Sequence, residues 1–224
     1  MFNKVIISED FDSINLAVIE VLKECKIHEV EYTKYCDDAL LKIKRALLDE
    51  TPYDLLLTDL SFIEDHRVDT LTLKSGEDLI AAVRAIQPDI KIIVYSIEDK
   101  SYRIKSLFEN HDIDGYVMKG RNSVPELKNA LTLVYNSDQK YLSPTITHVL
   151  QDKTVNEIDN YDLELLKYLS IGVAQDQMES QFKMLNISPN SKSSIEKRIN
   201  KLKTYFKANN TIHLIAISKD LGLI

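Results

Sequence analysis

Two kinds of hydrophobic pattern alternate along the first half of the chain. Short apolar runs occur at Lys4–Ser8, more weakly at Glu29–Thr33, at 53–60, at Lys91–Ser96 and at 115–119. Runs of this length without a polar face read as strands buried on both sides, the habit of a parallel sheet. Between them the apolar residues recur at the three- and four-residue spacing of one helical face. Ile14, Ala17, Val18, Val21 and Leu22 form the first such face, with Asp12 or Ser13 placed to cap it. Leu40, Ile43 and Leu47 form the second, within 37–49, and Thr51-Pro52 stops that helix. A third helix lies near 75–86 before Pro88, a polar one follows at Ser101–Asn110, and Val124, Leu127, Leu131 and Val134 face one way in a fifth. Five strand-and-helix units predict an α/β fold, a doubly wound five-stranded parallel sheet.

Beyond residue 136 the pattern changes. Residues 136–139 break it, 141–144 open a short helix running to Leu150, and 151–160 are polar and linker-like. Only helical spacing follows, so the tail is a small all-α domain. Residues 161–169 present Leu163, Leu165, Leu166 and Leu169 and end at Gly172, a residue suited to a left-handed helix terminus. Residues 175–185 turn Met178, Phe182 and Leu185 inward, 186–190 form a turn, and 191–206 place Ile195, Ile199, Leu202 and Phe206 on one face. The opposite face of that last helix carries Ser193, Lys197, Asn200, Lys201 and Thr204, and Ser193 with Glu196 fits a capping box. A helix at 212–221 closes the tail. The domain boundaries read as 1–136, a linker at 137–160, and 161–224.

Charge sharpens this division. The net charge of the 224 residues is -7, but residues 161–224 hold nine Lys and Arg against six Asp and Glu, a net of +3, leaving -10 for residues 1–160. An acidic front and a basic tail imply different partners. No apolar run approaches the roughly 20 residues of a membrane span, and the N-terminus runs into acids with no small-residue cleavage site, so a cytoplasmic location and no membrane partner are expected. Cys25 and Cys36 lack metal-ligand spacing and read as reduced thiols.

The strands carry chemistry at their carboxyl ends. Glu9 and Asp10, Asp59, Ser96 and Lys119 follow successive strands, and in a parallel sheet these ends share one rim. Clustered carboxylates bind a hard cation such as Mg2+ and leave places for phosphate oxygens. Asp59 is then a candidate nucleophile toward phosphorus, with Lys119 and the Ser96 hydroxyl neutralising and hydrogen-bonding the phosphoryl oxygens. Strand ends often bear solvated acids, yet matching residues in order around one rim outweigh that reading.

Residues 1–136 resemble the flavodoxin-like receiver domain of two-component response regulators, with Glu9-Asp10, Asp59, Ser96, Tyr116 and Lys119 at the motif positions. The resemblance implies that Asp59 accepts a phosphoryl group from a partner histidine kinase, that Glu9, Asp10 and the backbone carbonyl of Ser61 help bind Mg2+, that Lys119 pairs with the phosphoryl group, and that Ser96 and Tyr116 form a switch. It implies no enzyme activity beyond the domain's own phosphorylation and dephosphorylation. The chain departs from the family after Asp59: residues 61–75 intervene before Gly76, and the family's proline is absent. Residues 161–224 resemble the helix-turn-helix DNA-binding domain of LuxR and NarL type regulators. Lys197, Asn200 and Lys201, with Lys192 and Ser193 near the helix start, are then expected to meet bases and phosphates of double-stranded DNA, and Arg198 and Lys203 at the flanks to meet phosphates. A transcriptional regulator that dimerises through residues 101–136 when phosphorylated is expected; the alternative is an adaptor whose tail binds a protein.

Overall fold

The computed structural model describes residues 1–62, 71–147 and 158–224. It divides into two compact units, one holding the sheet and one holding the C-terminal helices.

Along the first part of the chain the strands are β1 (Lys4–Ser8), β2 (Glu29–Thr33), β3 (Leu55–Thr58), β4 (Lys91–Ser96), β5 (Gly115–Met118) and β6 (Tyr141–Leu142), alternating with helices α1 (Asp12–Glu24), α2 (Cys36–Leu48), α3 (Gly76–Ile86), α4 (Ser101–Asn110) and α5 (Ser123–Asn136). The order is β2-β1-β3-β4-β5-β6, all parallel. Val5, Ile7, Leu55, Leu57, Ile93, Tyr95 and Val117 face Val18, Val21 and Leu22 of α1 and Leu127, Ala130 and Leu131 of α5 in one core. The alternate residues Ile6, Leu56, Ile92 and Val94, also fully buried, point to the other face. Strand order reverses between β1 and β3, the place where α/β sheets open a crevice at their carboxyl ends.

The sheet has six strands, not five. Tyr141–Leu142 forms β6 on β5 and is followed by a 3-10 turn, Pro144–Ile146, where a helix to Leu150 was expected; residues 148–150 lie outside the described ones. The edge of β5 offers unpaired backbone groups, and Tyr141 and Ser143 amides donate to Asp114 and Tyr116 carbonyls. Helix faces also shift. Ala17 is exposed while Asn15 takes its place in the core, Val124 is exposed, and in α2 the buried stripe is Cys36, Ala39, Ile43 and Ala46, with Leu40 and Leu47 half-buried. Phe11, not Asp12 or Ser13, occupies the N-cap of α1.

The second unit contains α6 (Asn160–Ser170), α7 (Gln175–Met184), α8 (Lys192–Tyr205) and α9 (Thr211–Asp220). Leu165, Leu166, Phe182, Ile195, Ile199 and Leu214 form its core. Phe182 is gripped edge-on by Tyr161 and Tyr168, with ring centroids 5.7 and 5.6 Å away. Gly172 has φ of 86° and closes α6 as the sequence implies. Leu185 is 51% exposed, because it lies at the C-cap of α7 where the chain turns away. Helix α8 begins before the expected box: Ser191 is its N-cap and accepts the Ser194 amide, so Ser193 and Glu196 do not cap it.

Candidate functional site

At the rim of the sheet, hydrogen bonds continue past the strand ends and fix the residues that follow. The Glu9 amide donates to the Thr33 carbonyl at 3.0 Å, that of Asp59 to Ser8 at 3.0 Å, and that of Lys119 to Ser96 at 2.8 Å. Glu9, Asp59 and Lys119 each stand two residues beyond Ile7, Leu57 and Val117, so strand alternation sends their side chains to the α1 and α5 side.

There the three side chains meet. The Lys119 ammonium donates to Glu9 Oε2 at 2.5 Å and to Asp59 Oδ2 at 2.6 Å, and Glu9 and Asp59 are only 2% and 6% exposed. The other Asp59 oxygen, Oδ1, accepts the Leu60 amide at 2.6 Å. Glu9 Oε1 accepts the Phe11 amide at 3.1 Å, and Asn15 Nδ2 donates 2.8 Å to the Glu9 carbonyl. Glu9, Asp10 and Asp59 have carboxylate oxygens within 4.8 Å of one another. Burial raises the Glu9 pKa in spite of Lys119. Burial opposes the charge on Lys119, but its hydrogen bonds to Asp59 and Glu9 prevail and raise its pKa. Three carboxylates so close together form an all-oxygen donor set that suits a hard divalent cation.

The loop after Asp59 is built around a glycine. A Cβ on Gly76 would lie 1.8 Å from the Asp59 carbonyl oxygen, and the Gly76 amide donates to the Leu60 carbonyl at 3.0 Å. Ser61 and Ser75 form an antiparallel bridge that draws together the two ends of the intervening segment, and Asp37 accepts the Thr72 and Leu73 amides at 3.2 and 3.0 Å. Residues 63–70, with Glu64, Asp65 and His66, lie outside the described residues.

Ser96 is fully buried at the end of β4, and its hydroxyl accepts the Glu98 amide at 3.4 Å. Tyr116 points inward, fully buried, and its hydroxyl donates to the Glu98 carbonyl at 2.7 Å. The expected switch pair is therefore joined through one residue of the loop after β4. Sequence reasoning missed Asn15, which steadies Glu9. Its signal was an amide set among the apolar residues of a buried helix face.

In the second unit, Lys192, Ser193, Lys197, Asn200 and Lys201 lie exposed on α8, and Lys203 is half-buried. Arg198 is placed differently from expectation. Its Nε donates to Asp162 Oδ1 at 2.5 Å, and Nη2 donates to Asp162 Oδ2 at 2.6 Å and Asp159 Oδ2 at 2.7 Å. Asp162 is 1% exposed and belongs to the capping box that starts α6, so this fork is structural and is withdrawn from the phosphate-facing set. A cleft of about 520 Å³ runs beside it, lined in part by Tyr161, Ser188, Ser194, Lys197 and Lys201. Among the described residues no helix is long and apolar enough to cross a membrane.

No protein-family model matches the sequence, and no curated protein matches it. Solved structures do. A complex of two RcsB dimers bound to two parallel DNAs is similar over 98% of this chain and 98% of that one, at 20% identity and a TM-score of 0.62. RcsB from Salmonella enterica serovar Typhimurium, bound to promoter rprA in the presence of the phosphomimetic BeF3-, is similar over 95% of this chain and 96% of that one, at 19% identity and a TM-score of 0.62. The isolated REC domain of the same protein covers 66% of this chain and 97% of its own, at 20% identity and a TM-score of 0.51. The chain shares the fold of RcsB over the covered length.

Proposed function

We propose that this chain is a phosphorylation-controlled, DNA-binding response regulator. One observation carries the reading: Lys119 bridges the buried Glu9 and Asp59 at 2.5 and 2.6 Å in a cluster completed by Asp10. In the reaction, an Asp59 oxygen forms a bond to phosphorus as the P–N bond of a phosphohistidine on a partner kinase breaks, and the imidazole leaves. Lys119 meets the incoming negative charge, and the Ser96 hydroxyl turns from the Glu98 amide to donate to a phosphoryl oxygen. A Mg2+ ion held by Glu9, Asp10, Asp59 and the Ser61 carbonyl would supply the remaining neutralisation of the phosphoryl oxygens. The chain turns over no separate substrate. Tyr116, already inward, ties the rim to the loop after β4 and so to a two-state element that phosphorylation biases.

For the tail, support comes from α7 and α8, joined as helix, turn and cation-bearing helix, and from the DNA-bound RcsB complexes of the same fold. Lys197, Asn200 and Lys201 would face the major groove with Lys192 and Ser193, and Lys203 would meet a phosphate. A homodimer would place two such helices about 10 bp apart. The test is direct. With a small phosphodonor and Mg2+, the protein gains one phosphate and Asp59→Asn gains none, and the phosphorylated form binds duplex DNA with an affinity that falls steeply with salt. Equal labelling of Asp59→Asn refutes the phosphoacceptor; absence of salt-sensitive DNA binding in both forms leaves the protein-binding adaptor.

A further inference from the structure

The rim lysine has an aromatic neighbour besides its two carboxylates. Its ammonium lies 5.4 Å from the centroid of the Tyr95 ring, inside the roughly 6 Å over which an aromatic face attracts a cation. Tyr95 precedes Ser96 in β4 and pairs with Val117 of β5, so Tyr95, Val117 and Lys119 share one face of the sheet. The backbone of Lys119 is tied to the same strand through Ser96. The ring has little freedom. It packs in the core with Val117, Leu127 and Ala130, and its hydroxyl is hydrogen-bonded at 2.8 Å to Ser123 Oγ, on the first residue of α5. The ring presents a negative face to the cation.

We propose that Tyr95 is a positioning residue for phosphoryl transfer to Asp59: the face of its ring aims the Lys119 ammonium. The inference rests on the reading of Asp59 as phosphoacceptor. Lysine carries its charge on a flexible four-carbon stem, and at this rim both of its other partners are carboxylates, one of which must become an acyl phosphate. As that bond forms, the ammonium exchanges the Asp59 oxygen for a phosphoryl oxygen. The ring is the contact that does not change during the exchange, and it opposes collapse of the ammonium onto Glu9. A purely structural Tyr95 would matter through its shape and its buried hydroxyl alone.

Fluorination separates the two roles, because it drains the face of the ring with little change in the space it fills. Initial rates of Asp59 phosphorylation by acetyl phosphate and Mg2+ are measured on the full-length protein and on Tyr95→Phe, Tyr95→trifluorophenylalanine and Tyr95→Leu, with thermal melting alongside. Tyr95→Phe should stay within about threefold of the parent, since it keeps the ring face. Tyr95→trifluorophenylalanine should melt with Tyr95→Phe but react about 5- to 30-fold more slowly, the worth of a partly desolvated cation–π contact, and Tyr95→Leu should be at least as slow. In a Lys119→Ala background the difference between the first two variants should vanish. Equal rates for Tyr95→Phe and Tyr95→trifluorophenylalanine overturn the proposal. Parent labelled and Asp59→Asn unlabelled means that these rates judge Tyr95 alone; Asp59→Asn labelled like the parent means that the receiver reading fails and takes this inference with it.

Discussion

Replacing Arg198 tests whether this cation serves the fold or DNA. Its guanidinium spans both oxygens of Asp162, a side chain with 1% exposure, and reaches the exposed Asp159. The Asp159 contact is worth little, about 0–1 kcal/mol, because water screens it. The Asp162 contact is different: removing one partner of a buried pair costs about 3–5 kcal/mol, since the remaining carboxylate is left desolvated. Arg198 itself is 24% exposed on its side chain, so the lower end of that range, about 3 kcal/mol, is the expected loss for Arg198→Ala. Arg198→Lys keeps the charge but loses the fork, and should lose roughly 1–2 kcal/mol. The assay is thermal and urea unfolding of the full-length protein, following the transition of the helical unit. At about 4–8 °C per kcal/mol for a domain of this size, Arg198→Ala should lower that midpoint by at least 12 °C. A loss under about 0.5 kcal/mol, the ordinary effect of a surface change, with a drop in DNA affinity would return Arg198 to the phosphate-facing set and refute the assignment.

The other expectations are shorter. Lys197→Ala and Asn200→Ala should each reduce discrimination between target and random duplex by about 1–3 kcal/mol, whereas Lys203→Ala should weaken binding to both alike and lower the salt slope by about one phosphate; salt-titrated affinity measurements check this. Gly76→Ala should cost about 1–3 kcal/mol, because its Cβ meets the Asp59 carbonyl, and should slow Asp59 phosphorylation more than tenfold; a parent-like rate in a chemical labelling assay would contradict the contact. Burial pushes the Cys36 thiol up to about 12. The reactive thiolate therefore forms only as pH approaches that value, so at pH 8 iodoacetamide should modify the half-buried Cys25 first and reach Cys36 only on unfolding; equal native-state rates by peptide mass mapping would refute the burial.

What was legible in the sequence follows from two periodicities. A buried strand is an apolar run, and the residue after it must stand at the rim, so Glu9, Asp10, Asp59 and Lys119 could be placed together before any coordinates. Helix faces were read less well, because several residues compete for each face and tertiary neighbours choose among them. In α1 the series Asn15, Val18 and Leu22 went inward and left Ala17 outside; hydropathy could not favour an amide, and only its hydrogen bond to the Glu9 carbonyl explains the choice. β6 has two residues, too few for any period, and exists because the edge of β5 pairs with it. Three serines near the start of α8 could each cap it, and Ser191 prevailed by starting the helix early. Arg198 was misplaced for the same reason as Ala17: its partner Asp162 lies 36 residues away in sequence.

The loop after Asp59 shows how a departure in sequence can leave a site intact. Behind Asp59 the backbone passes so closely that a side chain there would strike the carbonyl of the acid. In this chain the residue that permits the approach, Gly76, stands 17 positions after Asp59, a spacing at which no local motif would find it. The bridge between Ser61 and Ser75 shortens that spacing in space: it closes the insertion at its base, and the capping box of Ser75 and Asp78 starts α3 immediately afterwards. Deleting residues 62–74 and joining Ser61 to Ser75 should therefore preserve folding and Asp59 phosphorylation. A deletion variant that melts like the parent yet cannot be phosphorylated would mean that the insertion itself takes part in the reaction.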